Sequence, residues 1–180
     1  MQHKINDIKS AKTALGIEFG STRIKAVLIG SDKKCLASGS YTWENKLENG
    51  IWTYSKADII SGLQGSYRSL CDDVKEKYGT ELETIGAIGV SAMMHGYIAL
   101  DKNDELLTPF RTWRNNTTTQ ASNELSKLLE FNIPERWSVS HLYQAILDKE
   151  AHLSKLKRVT TLAGYVHYLL TGENILGIGD

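Results

Sequence analysis

A hydroxyl-rich turn between two apolar runs has the residue types needed to hold a phosphate group. Residues 16–30 read GIEFGSTRIKAVLIG, so Gly20, Ser21 and Thr22 separate two runs of β-forming residues. The backbone N–H groups and hydroxyls of such a turn can converge on phosphate oxygens. Because Gly-Ser-Thr turns are common, an ordinary β-hairpin with a charged tip explains the same pattern.

Two charged residues flank this turn and extend its possible chemistry. Glu18 ends the first run and can hold a hydrated Mg²⁺, since this ion is usually bound through one or two carboxylates and several waters. Lys25 follows the turn and can place a positive charge beside a phosphoryl group in transfer. The sequence therefore predicts a phosphate and metal site at one end of a hairpin.

A second group of candidate residues lies in the segment SAMMHGYIAL, residues 91–100. Met94, His95 and Gly96 stand between two apolar strands, and loops at strand ends are where α/β proteins place binding groups. The histidine can donate to a sugar hydroxyl, and the methionine can pack on sugar carbons. The alternative is a buried histidine with a satisfied hydrogen bond beside a methionine that fills the core.

The third group lies in PFRTWRNNTTTQ, residues 109–120. Trp113 can stack on the face of a sugar, and Asn115 and Asn116 offer paired donors and acceptors. The same polar run is explained without a ligand if either asparagine is the N-cap of a following helix. Both interpretations can hold at once.

The elements that must position these residues follow from the apolar periodicity. Strands are predicted at 13–19, 24–30, 35–43, 84–93 and 96–101, and 84–93 is expected to be buried on both faces. A polar loop is predicted at 44–50, and helices are predicted within 115–131, 141–151 and 161–172. Strands first and helices later predict an α/β layer fold.

A long amphipathic helix is also predicted, from an N-cap at Ser55 to a left-handed stop at Gly79. Its apolar residues recur every three or four positions, as expected for one buried face. They are Ile59, Ile60, Leu63, Tyr67, Leu70, Cys71, Val74 and Tyr78.

Composition narrows the class of protein. The chain has 180 residues, 41% of them hydrophobic, and 21 basic side chains balance 21 acidic ones. A net charge of zero argues against a nucleic-acid or membrane-surface partner. Cys35 and Cys71 have no zinc or disulfide spacing, no apolar stretch is long enough to span a membrane, and residues 1–12 do not read as a secretory signal. We expect a cytoplasmic protein.

Five segments, in their order along the chain, resemble the N-terminal part of the FGGY family of carbohydrate kinases, and most of all its xylulokinase branch. The segments read GIEFGSTRIKAVLI, GIWTYSKADI, GVSAMMHGYIALD, TWRNNTT and AGYVHYLLTGE. The likeness covers residues 13–180 and leaves 1–12 as a polar N-terminal extension. It implies an α/β domain of the ribonuclease H-like type found in actin and hexokinase, with a mixed sheet flanked by helices. This domain is expected to be incomplete at 13–180 and truncated before the second domain.

The resemblance implies ATP and Mg²⁺ as cofactors and phosphoryl transfer to a xylulose-type ketopentose. Small molecules are then the expected partners, with no nucleic acid or membrane, and a homodimer is compatible with it. By its motifs, Gly20, Ser21, Thr22 and Lys25 bind phosphate and Glu18 binds the metal through water. The implied sugar-binding residues are Met94, His95, Trp113 and Asn115.

The resemblance places the general base of the reaction beyond the last residue of this chain. Asp180 comes too early in the family pattern to be that base. Family enzymes are much longer two-domain chains with the active site in the cleft between domains. The 180 residues alone are therefore expected to be inactive.

This sequence departs from the family pattern at five positions. Glu18 stands where the family has aspartate, Tyr54 where it has glutamate, and Met93 where it has glutamine. Asn115 and Thr117 replace an aspartate and an arginine, so a charged pair becomes neutral. The sugar preference is therefore expected to differ from that of xylulokinases. A non-catalytic sugar-binding module, or an ATPase with a non-sugar substrate, stays open as an alternative.

Overall fold

Alternation of apolar and polar residues along 14–42 builds three antiparallel strands in the computed structural model, which describes residues 1–177. The strands are β1 (Ala14–Phe19), β2 (Arg23–Ile29) and β3 (Cys35–Thr42). Contacts between residues divide the chain into two units, and these strands belong to the first, formed by Met1–Glu44 and Lys56–Ala92.

A later strand makes the sheet of the first unit mixed. β6 (Ala87–Ala92) pairs in parallel with β1, and the strand order is β3-β2-β1-β6. The expectation that 84–93 is buried on both faces is wrong, because β6 lies at the edge of the sheet and Ile88 is 50% exposed. An uninterrupted apolar run predicts a strand, but the elements packed on it decide its burial.

Helix α2 (Lys56–Tyr78) covers one face of this sheet, and it begins after Ser55 and ends before Gly79 (φ +63°), as predicted. Its fully buried residues are Ile59, Gly62, Ser66, Leu70 and Val74. Two of them are small, which the apolar pattern did not predict. A Cβ on Gly39 of β3 would lie 2.2 Å from the Leu70 nitrogen, so helix and strand are too close for larger residues.

The polar segment 1–12 contains a helix, α1 (Gln2–Lys9), that packs on the first unit. Ile8 is 1% exposed, and the carboxylate of Asp7 accepts hydrogen bonds from the backbone N–H (3.0 Å) and the hydroxyl (2.8 Å) of Ser31. These bonds hold the pKa of Asp7 below its usual value. The helix is thereby fixed to the turn between β2 and β3.

The second unit is formed by Asn45–Ser55 and the chain from Met93 onward. Residues 44–50, predicted as a loop, instead contribute to a hairpin of β4 (Lys46–Glu48) and β5 (Ile51–Thr53). Asn49 and Gly50 have φ of +50° and +81°, which is the two-residue turn that Asn-Gly favours. The dipeptide is the sequence signal that the loop prediction overlooked.

A second pair of strands and three helices complete this unit. β7 (Ile98–Leu100) pairs antiparallel with β8 (Arg158–Thr160). The helices are α3 (Thr119–Leu128), α4 (Ser138–Leu147) and α5 (Leu162–Thr171), with a 3₁₀ turn at Ala151–Lys155. α5 confirms its prediction, since Thr161 caps its start and Gly172 (φ +75°) its end. None of the described helices combines the length and hydrophobicity needed to cross a membrane.

Candidate functional site

Gly20 fixes the shape of the hydroxyl-rich turn between β1 and β2. Its N–H donates to the carbonyl of Arg23 at 3.0 Å, and a Cβ at this position would lie 2.9 Å from the same oxygen. A side chain would therefore displace the backbone of the turn. Because its N–H is already bonded, Gly20 shapes the turn and brings no free N–H to a phosphate.

Trp43 holds this turn from the end of β3, and the sequence reasoning missed it. Its indole N–H donates to the Gly20 carbonyl at 2.7 Å, and its backbone N–H donates to the Thr22 carbonyl at 3.2 Å. The ring meets Phe19 edge to face, with centroids 5.7 Å apart. No local pattern reveals this contact, because it joins residues 23 positions apart.

Glu18 and Lys25 face each other across the hairpin in the register β1–β2. Their side chains are both exposed, and Lys25 Nζ lies 3.4 Å from Glu18 Oε2. Ser21 and Thr22, in the turn itself, are also exposed. The residues predicted to bind phosphate and metal therefore lie together, because Glu18 and Lys25 are paired close to this turn.

Among the residues at this end of the hairpin, Glu18 has the one carboxylate that can bind Mg²⁺. The described residues contain no cluster of three or more histidine, cysteine or acidic side chains suited to a metal. Mg²⁺ bound mainly by water and nucleotide phosphates needs only one or two carboxylates. Glu18 fits that mode, and it does not fit a closed metal cage.

The loop carrying Met94, His95 and Gly96 adopts a rare backbone conformation. His95 and Gly96 have φ of +66° and +90°. Gly96 is clamped, because Ser138 Oγ donates to its carbonyl at 2.5 Å and its N–H donates to the Arg136 carbonyl at 3.4 Å. Strained residues of this kind persist where surrounding contacts hold them, and they cluster at functional sites.

The side chains of this loop do not behave as core residues. Met94 is 67% exposed, and His95 is half-buried with no hydrogen bond to its ring from the described residues. The alternative of a satisfied buried histidine beside a core methionine is therefore wrong. The imidazole stacks on Trp137, with centroids 5.7 Å apart and planes 29° apart. Burial, and the nearby charge of Arg136, lower the pKa of His95, which favours a neutral ring.

Trp113 is 40% exposed and is steadied by a neighbouring cation. The guanidinium carbon of Arg114 lies 5.0 Å from the ring centroid of Trp52 and 5.8 Å from that of Trp113. Both distances suit a cation–π interaction. An exposed indole face held in this way is available for stacking on a ligand.

Asn115 is 5% exposed and its amide is used within the protein. Oδ1 accepts from the Trp52 N–H at 2.9 Å, while Nδ2 donates to the carbonyls of Trp52 and Thr112, each at 2.9 Å. The alternative that an asparagine caps α3 is wrong, because Thr118 occupies the N-cap position. Asn115 keeps only one oxygen lone pair for a ligand.

An open pocket of about 370 Å³ lies beside these residues, and we call it the acceptor pocket. Its lining consists of Trp113, Asn115, Asn116, Pro134, Glu135 and Arg136. Three candidate residues of the third group, Trp113, Asn115 and Asn116, meet there. Met94 and His95 are not in the lining, although His95 stacks on Trp137 next to Arg136. Glu135 and Arg136 were not predicted as site residues. The sequence signal near them is Pro134, which marks a turn directly before them.

Two departures from the family pattern touch each other in this unit. The Tyr54 hydroxyl donates to the sulfur of Met93 at 3.8 Å. Tyr54 is buried, and burial raises the pKa of its phenol. A hydroxyl–sulfur hydrogen bond directly before Met94 thus joins the two positions where the resemblance leads one to expect glutamate and glutamine.

A buried polar cluster lies next to Gly96, beginning at Tyr97. Arg111 forms a two-pronged ion pair with Glu150, and the Tyr97 hydroxyl shares a hydrogen bond of 2.8 Å with His152. The ring of His141 lies 6.3 Å from that of Tyr97, and neither of its nitrogens has a hydrogen-bond partner among the described residues. Burial lowers the pKa of His141 to about 4.

Comparison with known proteins identifies the family to which most of this chain is similar. A model described as the FGGY family of carbohydrate kinases, N-terminal domain, matches residues 13–138. Asp180, the residue rejected as a base, lies outside the described residues.

Solved structures of sugar kinases share the fold. A xyloylose kinase from Brucella ovis superposes with a TM-score of 0.77 at 21% identity, over 89% of this chain and 34% of that one. A gluconate kinase from Lactobacillus acidophilus gives 0.71 at 23% identity, over 90% and 34%. Plasmodium falciparum glycerol kinase with ADP gives 0.70 at 14%, over 89% and 34%. The chain thus spans about a third of these proteins' length, and over that span it shares their mixed-sheet α/β fold.

Proposed function

Because this chain belongs to the FGGY family of carbohydrate kinases, we propose that it supplies the phosphate hairpin and the acceptor pocket of an ATP-dependent sugar kinase. The reaction is transfer of the γ-phosphoryl group of ATP to a hydroxyl of a xylulose-type ketopentose, in the cytoplasm. The carrying observation is a clamped loop in which Met94 is exposed and the half-buried His95 ring, at a left-handed position, has no hydrogen bond from the described residues.

At the hairpin, we assign the charged and hydroxyl residues to the nucleotide phosphates. Ser21 and Thr22 donate to phosphate oxygens, and Lys25 neutralises charge that develops during transfer. Glu18 orients Mg²⁺ through water, and the metal supplies charge stabilisation on the phosphates when bound. Catalysis of this kind rests mainly on positioning and electrostatics.

In the second unit, the loop of Met94, His95 and Gly96 and the acceptor pocket bind the sugar. Neutral His95 exchanges a hydrogen bond with a sugar hydroxyl, Met94 packs on sugar carbons, and the exposed face of Trp113 stacks on the ring or chain. Asn115 contributes through the oxygen lone pair left over from its bonds to Trp52. A general base from residues beyond this chain completes the site.

A coupled assay on the complete protein tests this proposal. Mg²⁺-ATP is supplied with xylulose, gluconate or glycerol, and ADP release is followed for each. We expect turnover with xylulose above the sugar-free blank, and none with the purified 180-residue chain. Failure of all three acceptors in the complete protein contradicts the proposal.

One observation favours a second candidate, a sugar-binding module that does not transfer phosphate. The family's aspartate position is occupied by Asn115, and both of its amide hydrogens are bonded to backbone carbonyls. In that case, xylulose binds, as seen by calorimetry, but no ADP forms. An ATPase with a non-sugar substrate instead releases ADP without any of the three sugars.

A further inference from the structure

The acceptor pocket contains a carboxylate with an unmet hydrogen-bonding need. Glu135 lines the pocket, and its Oε2 is shielded from solvent without a hydrogen-bond partner in the part of the chain that the structure describes. A buried acceptor without a donor raises the free energy of the empty protein. A ligand that donates to the other oxygen of the same carboxylate, Oε1, offsets part of that cost.

The backbone that carries Glu135 is held firmly in place. Residues 134–137 form a turn in which the Trp137 N–H donates to the Pro134 carbonyl at 3.1 Å. The Glu135 carbonyl accepts from the Thr118 hydroxyl at 2.5 Å, and the Arg136 carbonyl accepts from the Gly96 N–H at 3.4 Å. Three successive carbonyls are thus bonded, so the turn presents its two central side chains from a fixed position.

The same turn is attached to the loop that carries His95. The Gly96 N–H donates to the Arg136 carbonyl, and the His95 ring stacks on Trp137, so two contacts join the loop to the turn. Glu135 therefore keeps its position relative to His95 and to the pocket. This preorganisation is what a selective polar contact requires.

The family's carboxylate is missing at Asn115, and the amide there is taken up by backbone bonds. We propose that Glu135 is the specificity-determining carboxylate of the acceptor pocket and accepts a hydrogen bond from a hydroxyl of a neutral polyol or sugar. This inference rests on the proposed sugar-kinase function. The other oxygen of this carboxylate, Oε1, is not among the shielded atoms without a partner, so it is the oxygen that a ligand in the pocket can reach.

Its neighbours determine which acceptors suit this carboxylate. Trp113 offers an apolar face beside it, the combination that recognises the two sides of a sugar. Arg136 also lines the pocket, but a guanidinium only donates hydrogen bonds, so it cannot replace Glu135 as the acceptor. A carboxylate at this position repels an acidic acceptor, so a neutral sugar is favoured over an aldonate.

The test compares Glu135→Gln with Glu130→Gln in the complete protein. Glu130 is exposed and lies at the end of α3, outside the pocket lining, so it is a matched control. Both variants remove one negative charge and keep the side-chain volume. The measurements are kcat and KM for xylulose, gluconate and ATP, together with the melting temperature.

We expect Glu135→Gln to lower kcat/KM for xylulose at least about tenfold, as for loss of a charge-assisted hydrogen bond. The xylulose-to-gluconate ratio should fall by as much, while the KM for ATP and the melting temperature stay within error. Glu130→Gln should match the wild type. If the wild type uses xylulose and Glu135→Gln leaves both efficiency and ratio unchanged, the inference is wrong and the kinase assignment stands. If the wild type uses no sugar, the proposed function itself fails.

Discussion

The side-chain amide of Asn115 forms hydrogen bonds with both the N–H and the carbonyl of Trp52. The Trp52 N–H donates to Oδ1, and Nδ2 donates to the Trp52 carbonyl, each at 2.9 Å. The side chain thus acts as a short piece of β-strand that attaches the segment after Trp113 to β5. This relationship explains why an amide stands where the family has a carboxylate.

Restoring the family residue with Asn115→Asp should destabilise the protein. The second carboxylate oxygen would face the carbonyls of Trp52 and Thr112, so two hydrogen bonds are replaced by repulsion between acceptors. We expect a loss of about 2–4 kcal/mol in the free energy of unfolding at pH 7. Denaturant titration measures it, with exposed Asn116→Asp as the control. Equal stability of the two variants would rule out this role for the amide.

Trp43→Phe should destabilise the Gly20–Thr22 turn between β1 and β2. The substitution removes the 2.7 Å bond from the indole to the Gly20 carbonyl and leaves an aromatic ring beside Phe19. Stability should fall by about 1 kcal/mol, and in the complete protein the KM for ATP should rise while that for the sugar does not. Tyr41→Phe on the same strand serves as the control. An unchanged KM for ATP would show that the turn does not need the indole.

Thr22→Val and Glu18→Gln test the hairpin itself in the complete protein. The first removes a hydroxyl donor at similar volume, and the second removes the charge that orients the metal. Each should lower kcat by a factor of about 10 to 1000, as for one preorganised catalytic contact. Thr42→Val, which is exposed on neighbouring β3, should have no such effect. Full activity of both hairpin variants would leave the turn a structural hairpin only.

His95→Asn separates a sugar contact from a structural role. Asparagine tolerates the left-handed backbone at this position (φ +66°) but removes the ring that stacks on Trp137. We expect kcat/KM for the sugar to fall about tenfold or more, as for a lost substrate hydrogen bond. The KM for ATP should not change. Reduced melting temperature with normal sugar kinetics would remove His95 from the site.

His141 should make the protein sensitive to acid. Burial, and the nearby charge of Arg111, lower its pKa from 6.5 to about 4 in the folded protein, although Glu150 opposes this. The unfolded chain therefore binds more protons between these values, and stability is lost as pH falls from 6.5 to 4. The loss approaches about 3 kcal/mol, from about 1.4 kcal/mol per pKa unit.

The variant His141→Leu isolates this contribution. Leucine does not titrate and needs no hydrogen bond, and neither imidazole nitrogen has one among the described residues. Free energies of unfolding are measured for both proteins from pH 7 to pH 4. The difference between wild type and variant should shift in favour of the variant as pH falls. Parallel curves would contradict the depressed pKa.

Local chemistry allowed much of the fold to be predicted from the sequence. The hairpin of β1 and β2, the long helix from Ser55 to Gly79 and the capped helix α5 all follow from periodicity and end signals within a few residues. The predicted burial of β6 on both faces was wrong, because burial depends on elements that are distant in the sequence. The Asn49-Gly50 hairpin was a local signal that was overlooked.

For the site, residue types and their order along the chain predicted a phosphate hairpin and a sugar-binding loop, and these assignments stay predictions. The sequence alone determined which side chains are present. That a side chain does not fit at Gly20 or Gly96 became clear only from the folded backbone around them. Only the tertiary structure decided which side chains remain available to a ligand. It joined Asn115 to Trp52 and Trp43 to Gly20, because hydrogen bonds between distant segments form only when the chain is folded. It also left Glu135 Oε2 without a donor from residues 1–177.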